Sequence, residues 1–384
     1  MIRDQEILDQ LTDTLSRFVR ERLVPNEERI AEDDAIPAEI VTEMKDLGLF
    51  GLSIPEEYGG LGLTMEEEVL CAFEIGQTSP AFRSIFGTNN GIGSQGIIID
   101  GTPEQKAAYL PRLATGELIA SFALTEPNAG SDAASLRTTA RRDGDHYVIN
   151  GEKTSITFAD CADAYLIFAR TGQPEEGAKG VSAFFIPGNT PGISRTRFDD
   201  LGSTIIGRGS VFFDDVRIPL SHRLGDEGKG FTQVMQGFDY SRALIGLQCC
   251  GAAQASLDEA WAYAKEREAF GRPIGQFQGV TFPLAEGESH IAAVRQLCYH
   301  TLSLRDAAQP HTSEAAMCKW MGPKYAFDVI HQCLLTFGHY GWSKDLPHQQ
   351  RMRDVSGLEI GDGTAGVMKL IIARGRIGRA AVQY

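Results

Sequence analysis

The spacing of apolar residues changes twice along this chain, and that limits its folds more than any single motif. In the first 117 residues the period is helical: Leu8, Leu11, Leu15, Phe18 and Val19 form one stripe, which Pro25 closes. Thr64 with Glu67, and Thr102-Pro103 with Gln105, have the form of capping boxes, the second with proline at the first helical position. Pro80 to Ile99 reads as one buried helix. From residue 118 the period shortens. Ile119–Leu124, Leu136–Arg142, His146–Asn150, Ala164–Arg170, Val181–Pro187 and Ser210–Pro219 are short runs rich in β-branched and aromatic residues. Asp143-Gly144 and Asn150-Gly151 are hairpin-type turn signals. From residue 229 the helical period returns over Phe231–Glu268, Val280–Ala308, Ser313–Phe337 and Val367–Ile377. The expected architecture is α+β: a helical domain at 1–117, a middle antiparallel β-barrel or sandwich domain at 118–228, and a helical domain at 229–384.

Composition excludes several function classes. A net charge of −15 argues against nucleic acid or an anionic membrane as the main partner. No apolar run approaches the ~20 residues needed to span a bilayer. The first residues carry acids where a signal peptide has a basic and then an apolar segment. Seven cysteines without metal-type spacing, with Cys249 and Cys250 adjacent, read as reduced thiols in a cytoplasmic protein.

Gly91-Ile-Gly93-Ser-Gln-Gly96 matches G-x-G-x-x-G, but no strand precedes it, so close helix packing explains it better than a dinucleotide site. Eight dispersed histidines lack an H-E-x-x-H pair, and no G-x-S-x-G elbow is present, so neither metal nor a hydrolase triad is expected. Two polar stretches, Ala123–Asp132 and Asn150–Phe158, sit at expected strand ends and could bind an anionic or heteroaromatic cofactor. In Gly357-Leu-Glu-Ile-Gly-Asp-Gly-Thr364 a carboxylate lies between two glycines ahead of a helix. It is either an ordinary helix-start turn with Thr364 as cap, or a positioned acid or base.

Taken together these motifs resemble the acyl-CoA dehydrogenase family. The likeness is carried by Ala-Leu-Thr-Glu-Pro-x-Ala-Gly-Ser-Asp at 123–132, Asn-Gly-x-Lys at 150–153 and Pro55-Glu-Glu-Tyr-Gly-Gly-Leu-Gly62. Phe213-Asp-Asp-Val-Arg-Ile-Pro219, Gly228-Lys-Gly-Phe231, Arg267-Glu-Ala-Phe-Gly271, Gln278 and Arg353-Asp354 continue it in order. The resemblance implies that the C-terminal domain is a four-helix bundle, with FAD between it and the β domain. It implies oxidation of an acyl-CoA to the enoyl-CoA by proton removal at Cα and hydride transfer from Cβ to flavin N5. It also implies electron-transferring flavoprotein as acceptor and a homodimer or homotetramer. Carried over by motif, Phe122, Leu124, Thr125, Gly130, Ser131, Ser155 and Thr157 would line the flavin and its pyrophosphate. Thr364 and Gly366 would add contacts from the C-terminal loop. Arg267, Phe270, Leu335 and His339 would reach a neighbouring subunit's FAD, the arginine by charge-assisted bonding to phosphate, and Gln278 would add a cofactor contact. Asp239, Arg242, Gly363 and Ser131 fall on the acyl-CoA side. The family's usual Tyr-Glu-Gly-Thr places its catalytic Glu on Asp362, and Ser241 stands where some members carry an alternative Glu.

Four departures matter. Asp362 is shorter than Glu by one C–C bond, ~1.5 Å, so general-base reach must be recovered elsewhere. Gly361 replaces an aromatic residue, Ser155 replaces a Trp, and Leu335 and His339 replace a Gln and a Gly. Asp at the base position resembles the cyclic acyl-CoA dehydrogenases and also the nitroalkane oxidases. Phe82-Arg83-Ser84 resembles the Tyr-Arg-Ser of glutaryl-CoA dehydrogenases, where Arg holds a distal carboxylate. A buried Arg needs an anionic partner or a water path, so Arg83 pairs either with a protein carboxylate or with substrate. The expected substrate is therefore a branched, cyclic or dicarboxylic short-chain acyl-CoA. The competing readings are a flavin oxidase, a non-redox acyl-CoA lyase or desulfinase, and a flavin-binding protein without activity.

Overall fold

The computed structural model describes residues 2–381. Seven helices come first: α1 Gln5–Phe18, α2 Glu27–Asp33, α3 Ala38–Asp46, α4 Met65–Ile75, α5 Pro80–Thr88, α6 Gln95–Asp100 and α7 Pro103–Ala114. Both capping boxes form, at Thr64/Glu67 and at Thr102/Gln105. The stretch expected as one helix from Pro80 is two, α5 and α6, separated by a kinked turn at Asn89–Gly93. The G-x-G-x-x-G run lies at that kink, where a Cβ on Gly93 would meet the Thr88 carbonyl at 2.7 Å and Ala120 Cβ at 3.0 Å. Close packing explains Gly93, while Gly91 carries the non-helical backbone of the kink.

The middle strands are β1 Ala120–Ala123, β2 Thr139–Asp143, β3 His146–Ile156, β4 Ala164–Arg170, β5 Val181–Pro187, β6 Ile193–Arg195, β7 Gly209–Pro219 and β8 Arg223–Leu224. They form one eight-stranded sheet in the order β6-β7-β3-β2-β4-β5-β8, with β1 beside β4. Pairing is antiparallel except that β4 runs parallel to β1 and, at Thr139–Arg170, to β2. Asp143-Gly144 is a true hairpin turn, with Asp143 opposite His146. Asn150-Gly151 is not. The strand runs through it and breaks register against β7, and a Cβ on Gly151 would strike Thr138 at 2.5 Å. A bulge has used the residues that local propensity assigns to a turn.

The last part contains α8 Gly230–Glu266, a ribbon of β9 Glu268–Ala269 and β10 Arg272–Pro273, then α9 Gln278–Asp306, α10 Thr312–Phe337, α11 His348–Gly357 and α12 Ala365–Ile377. α8, α9 and α10 enclose a core that includes Leu244, Leu247, Leu257, Ile291, Val294, Leu302, Val329 and Ile330, all buried. Among the described residues no helix is long and apolar enough to cross a membrane. All seven cysteines are free thiols.

Candidate active site between the sheet and the helical bundle

Sheet and bundle meet at aromatic rings. Phe122 on β1 packs on Phe168 at 5.0 Å and on Phe238 of α8 at 5.7 Å between centroids. Thr125 follows β1, and its carbonyl accepts from the Thr154 amide at 2.9 Å, which ties that strand end to β3. The Ser121 hydroxyl bonds the Thr157 carbonyl in the same way. Between them Ser155 has φ 58°, in the register break between Lys153 and Ile156, and its side chain is exposed. A residue that is not glycine in this conformation is held against local strain.

Lys153 braces this surface from below. Fully buried, it donates to the Leu124 carbonyl at 2.9 Å and to Glu126 at 2.8 Å. Glu126 in turn accepts from the amides of Arg137 and Thr138. Burial pushes the Lys153 ammonium down to about 8, with Glu126 opposing. The polar loop 125–138 is thus fixed at its base while Gly130 and Ser131 stay exposed, and a Cβ on Gly130 would meet nothing within 4 Å. Leu124 is buried beneath it. Aromatic floor, strained hydroxyl and open polar loop suit a flat heteroaromatic ring carrying a phosphate tail.

The same ring contact leads to the acid. Arg242 sits over the Phe238 ring at 5.2 Å, pairs with Asp239 at 3.2 Å, and donates from Nε to the Asp362 carbonyl at 3.3 Å. Asp239 is held in turn by the Thr312 hydroxyl at 2.6 Å. Asp362 has φ 56°, and its Oδ2 accepts a bond from the Ser241 hydroxyl. Gly363, at φ 108°, leaves room for Met368, which a Cβ there would strike at 2.4 Å. Thr364 caps α12 by accepting from the Val367 amide, so that expectation holds whatever else the residue contacts. Gly361 and Gly366 are exposed.

Lys319 of α10 is a residue that sequence reasoning missed. It is fully buried and donates to the carbonyls of Leu358 at 2.6 Å and Gly363 at 3.1 Å, on either side of Asp362. The signal was present: Lys319 interrupts an apolar stripe of Ala315, Ala316, Gly322, Pro323 and Ala326 at helical spacing.

Arg83 is carried by α5. Ser79 caps α5 and donates to buried Asp354 at 2.7 Å, which fixes the helix that carries it. Protein surrounds Arg83 closely enough that burial pushes its guanidinium down, yet part of its surface remains accessible. Its side-chain partner is Gln248, at 3.4 Å. Among the described residues no carboxylate lies within 4.0 Å of it, so the internal ion pair is not made. Glu68 acts on it electrostatically from a buried site where it bonds the Tyr240 hydroxyl. Desolvation pushes Glu68 up to about 7. Glu68 and Tyr240 were also not anticipated.

Five of the expected cofactor residues lie elsewhere. Arg267 ends α8, 29 positions after Phe238, about 44 Å along a helix. With His339 it lines a cavity of about 500 Å³. Phe270, at the tip of the β9–β10 ribbon with φ 53°, is 95% exposed, and Leu335 is 55% exposed. Gln278 opens α9 nearby. One chain does not bring these residues to the Phe122–Ser155 surface.

Family models described as the N-terminal, middle and C-terminal domains of acyl-CoA dehydrogenase match residues 5–117, 121–216 and 228–377. The short-chain specific acyl-CoA dehydrogenase of Clostridium acetobutylicum is 36% identical over 380 residues, 99% of each chain. A solved glutaryl-coenzyme A dehydrogenase in complex with glutaryl-CoA superposes with a TM-score of 0.93 at 32% identity, covering 98% of this chain and 97% of that one. A structure of PigA with FAD and proline superposes with a TM-score of 0.94 at 26% identity, covering 99% and 100%. This chain belongs to the acyl-CoA dehydrogenase family of oxidoreductases.

Proposed function

We propose that this protein uses FAD to dehydrogenate a short acyl-CoA that carries a carboxylate at its far end, with Asp362 as the α-proton base. The observation that carries the substrate assignment is Arg83, a largely enclosed cation with no protein carboxylate within 4.0 Å among the described residues. Its distance from the base supports a short diacid. Ser241, which bonds Asp362, and Gln248, which bonds Arg83, are seven residues apart on α8. Seven residues are nearly two full turns, so both lie on one face about 10 Å apart along the axis. An acyl group of about five carbons, with a hydrogen bond at each end, spans such a gap.

FAD, when bound at the Phe122–Thr125–Ser155–Thr157 surface, supplies the hydride acceptor for Cβ. The chain's own residues do the rest. Ser241 and Arg242 orient Asp362, and the carboxylate takes the proton from Cα. Asp239, Arg242, Gly363 and Ser131 flank the acyl-CoA. The reach lost with the shorter acid must be recovered by the turn that holds Asp362 in its left-handed conformation.

Arg267, Phe270, Gln278, Leu335 and His339 serve the FAD of a second copy in a homodimer or homotetramer, and electron-transferring flavoprotein accepts the electrons. The length of α8 between the two patches supports the first point. A cyclic or branched acyl group is the second reading, favoured by Gly361, where a Cβ would meet nothing nearer than 4.0 Å.

Anaerobic flavin bleaching by a panel of acyl-CoAs tests the reading. A dicarboxylyl-CoA of four to six carbons should reduce the flavin fastest, and Asp362→Asn should keep FAD but lose reduction by ~100-fold or more. Undiminished reduction in Asp362→Asn removes it from the mechanism. Faster bleaching by a cyclic acyl-CoA favours the second reading.

A further inference from the structure

We propose that Lys319 is a positioning residue for the base: its ammonium clamps the two ends of the turn that presents Asp362 and thereby sets where the carboxylate stands. This rests on Asp362 acting as the base.

Leu358 is the C-cap of α11, and Gly363 precedes the cap of α12. Lys319 donates to both carbonyls, so one side chain from α10 joins the end of one helix to the start of the next. Backbone bonds from the amides of Glu359, Ile360 and Gly361 to the last carbonyls of α11 hold the first half of the segment between them, and the half that carries Asp362 depends on side chains. Ile360 is 70% exposed, Gly361 is open, and glycines flank a residue in the left-handed region. Two glycines make such a turn easy to deform, and an aspartate at φ 56° needs its surroundings to keep it there.

Three donors provide that restraint. Ser241 binds the carboxylate, Arg242 binds the carbonyl of Asp362, and Lys319 binds the carbonyl of the next residue. Of the three only Lys319 enters from α10, and it does so from full burial. A buried ammonium is costly, and among the described residues no carboxylate lies within 4.0 Å to offset it. The two carbonyls bond it, the Leu358 one at the negative end of α11, and the carboxylates of Asp362 and Glu359 oppose the burial from further away. A helix end alone could be capped by water or glycine without this cost. Because the base is one bond shorter than Glu, a displacement of even 1 Å is felt in the proton-transfer step.

Lys319→Met keeps an unbranched side chain one atom shorter and removes the cation. In the FAD-loaded protein, CoA-ester affinity and FAD content should stay within about twofold, because Lys319 touches neither. Flavin reduction should slow by roughly 10–100-fold. The isotope effect from α-deuterated acyl-CoA should rise as proton removal becomes limiting, and amide exchange in the 358–364 segment should quicken. A lowered melting temperature with a parental reduction rate and isotope effect would overturn the proposal, leaving a helix cap. If Lys319→Met does not yield folded flavoprotein, Lys319→Arg decides. Retaining the charge but altering reach, it should slow reduction with a raised isotope effect; parental values contradict the proposal. Asp362→Asn separates the two claims, since activity in that variant defeats the base assignment, not the clamp alone.

Discussion

Two enclosed arginines in this molecule have opposite surroundings. Arg351, on α11, is fully buried and surrounded by acceptors: both oxygens of Glu27, both of Glu259, and the Ser256 hydroxyl. Burial would lower its pKa, but the two carboxylates outweigh that and raise it. Arg83, on α5, has one long bond to a neutral amide, and burial lowers its pKa with only partial compensation from Glu68. A cation whose role is to join helices carries its counter-charges in the fold. One whose counter-charge arrives with a ligand leaves the fold under-compensated.

The contrast predicts different mutational signatures. Arg351→Met leaves Glu27 and Glu259 buried without their partner, so denaturant unfolding should show a loss of about 3–5 kcal/mol. Arg83→Met removes an uncompensated charge and should be neutral or slightly stabilising in the same assay. Equal losses at the two positions would break the comparison.

His348 sharpens it. Buried beside Arg351, with neither ring nitrogen hydrogen-bonded, it is pushed down to about 3 by burial first and by Arg351 second. The unfolded chain binds this proton from about pH 6.5 and the folded chain only near 3. The contribution is therefore complete above pH 6.5 and is lost as pH falls through that window, by a few kcal/mol at most. Replacing His348 with Phe should flatten that limb of the stability–pH curve; an unchanged limb assigns acid lability to other groups.

The smallest effect concerns Glu68, whose folded pKa of about 7 lies above its ordinary 4.5. Below that pH the carboxyl is neutral, Tyr240 bonds it, and Arg83 is free for a substrate carboxylate. As pH rises through about 7 the ionised Glu68 competes for Arg83, facing Tyr240, Arg83 and Arg305. KM for a dicarboxylyl-CoA should rise severalfold across that range and stay level in Glu68→Gln. No difference between parent and variant would remove Glu68 from substrate recognition.

The helix–sheet–helix plan was legible because period is a property of long segments, and it survives local errors such as Asn150-Gly151, where strand pairing overrode turn propensity. β1 beside β4 was not legible, since a parallel contact leaves no local mark. At the site, Asp362 was found by counting along the chain. Lys319 and Glu68 were hidden because charge in a helix ordinarily means solvent. Each lies among small and apolar residues at helical spacing, and that pattern is the readable trace of a buried charge.

The reading of Arg83 is tested most directly by stopped-flow flavin reduction with a five-carbon dicarboxylyl-CoA and a monocarboxylyl-CoA of equal length, in the parent and in Arg83→Gln. Loss of a charge-assisted contact of about 1.5–3 kcal/mol predicts a roughly 10–100-fold fall in efficiency for the diacid and little change for the monoacid. An equal fall for both would make Arg83 a structural residue like Arg351 and contradict the account.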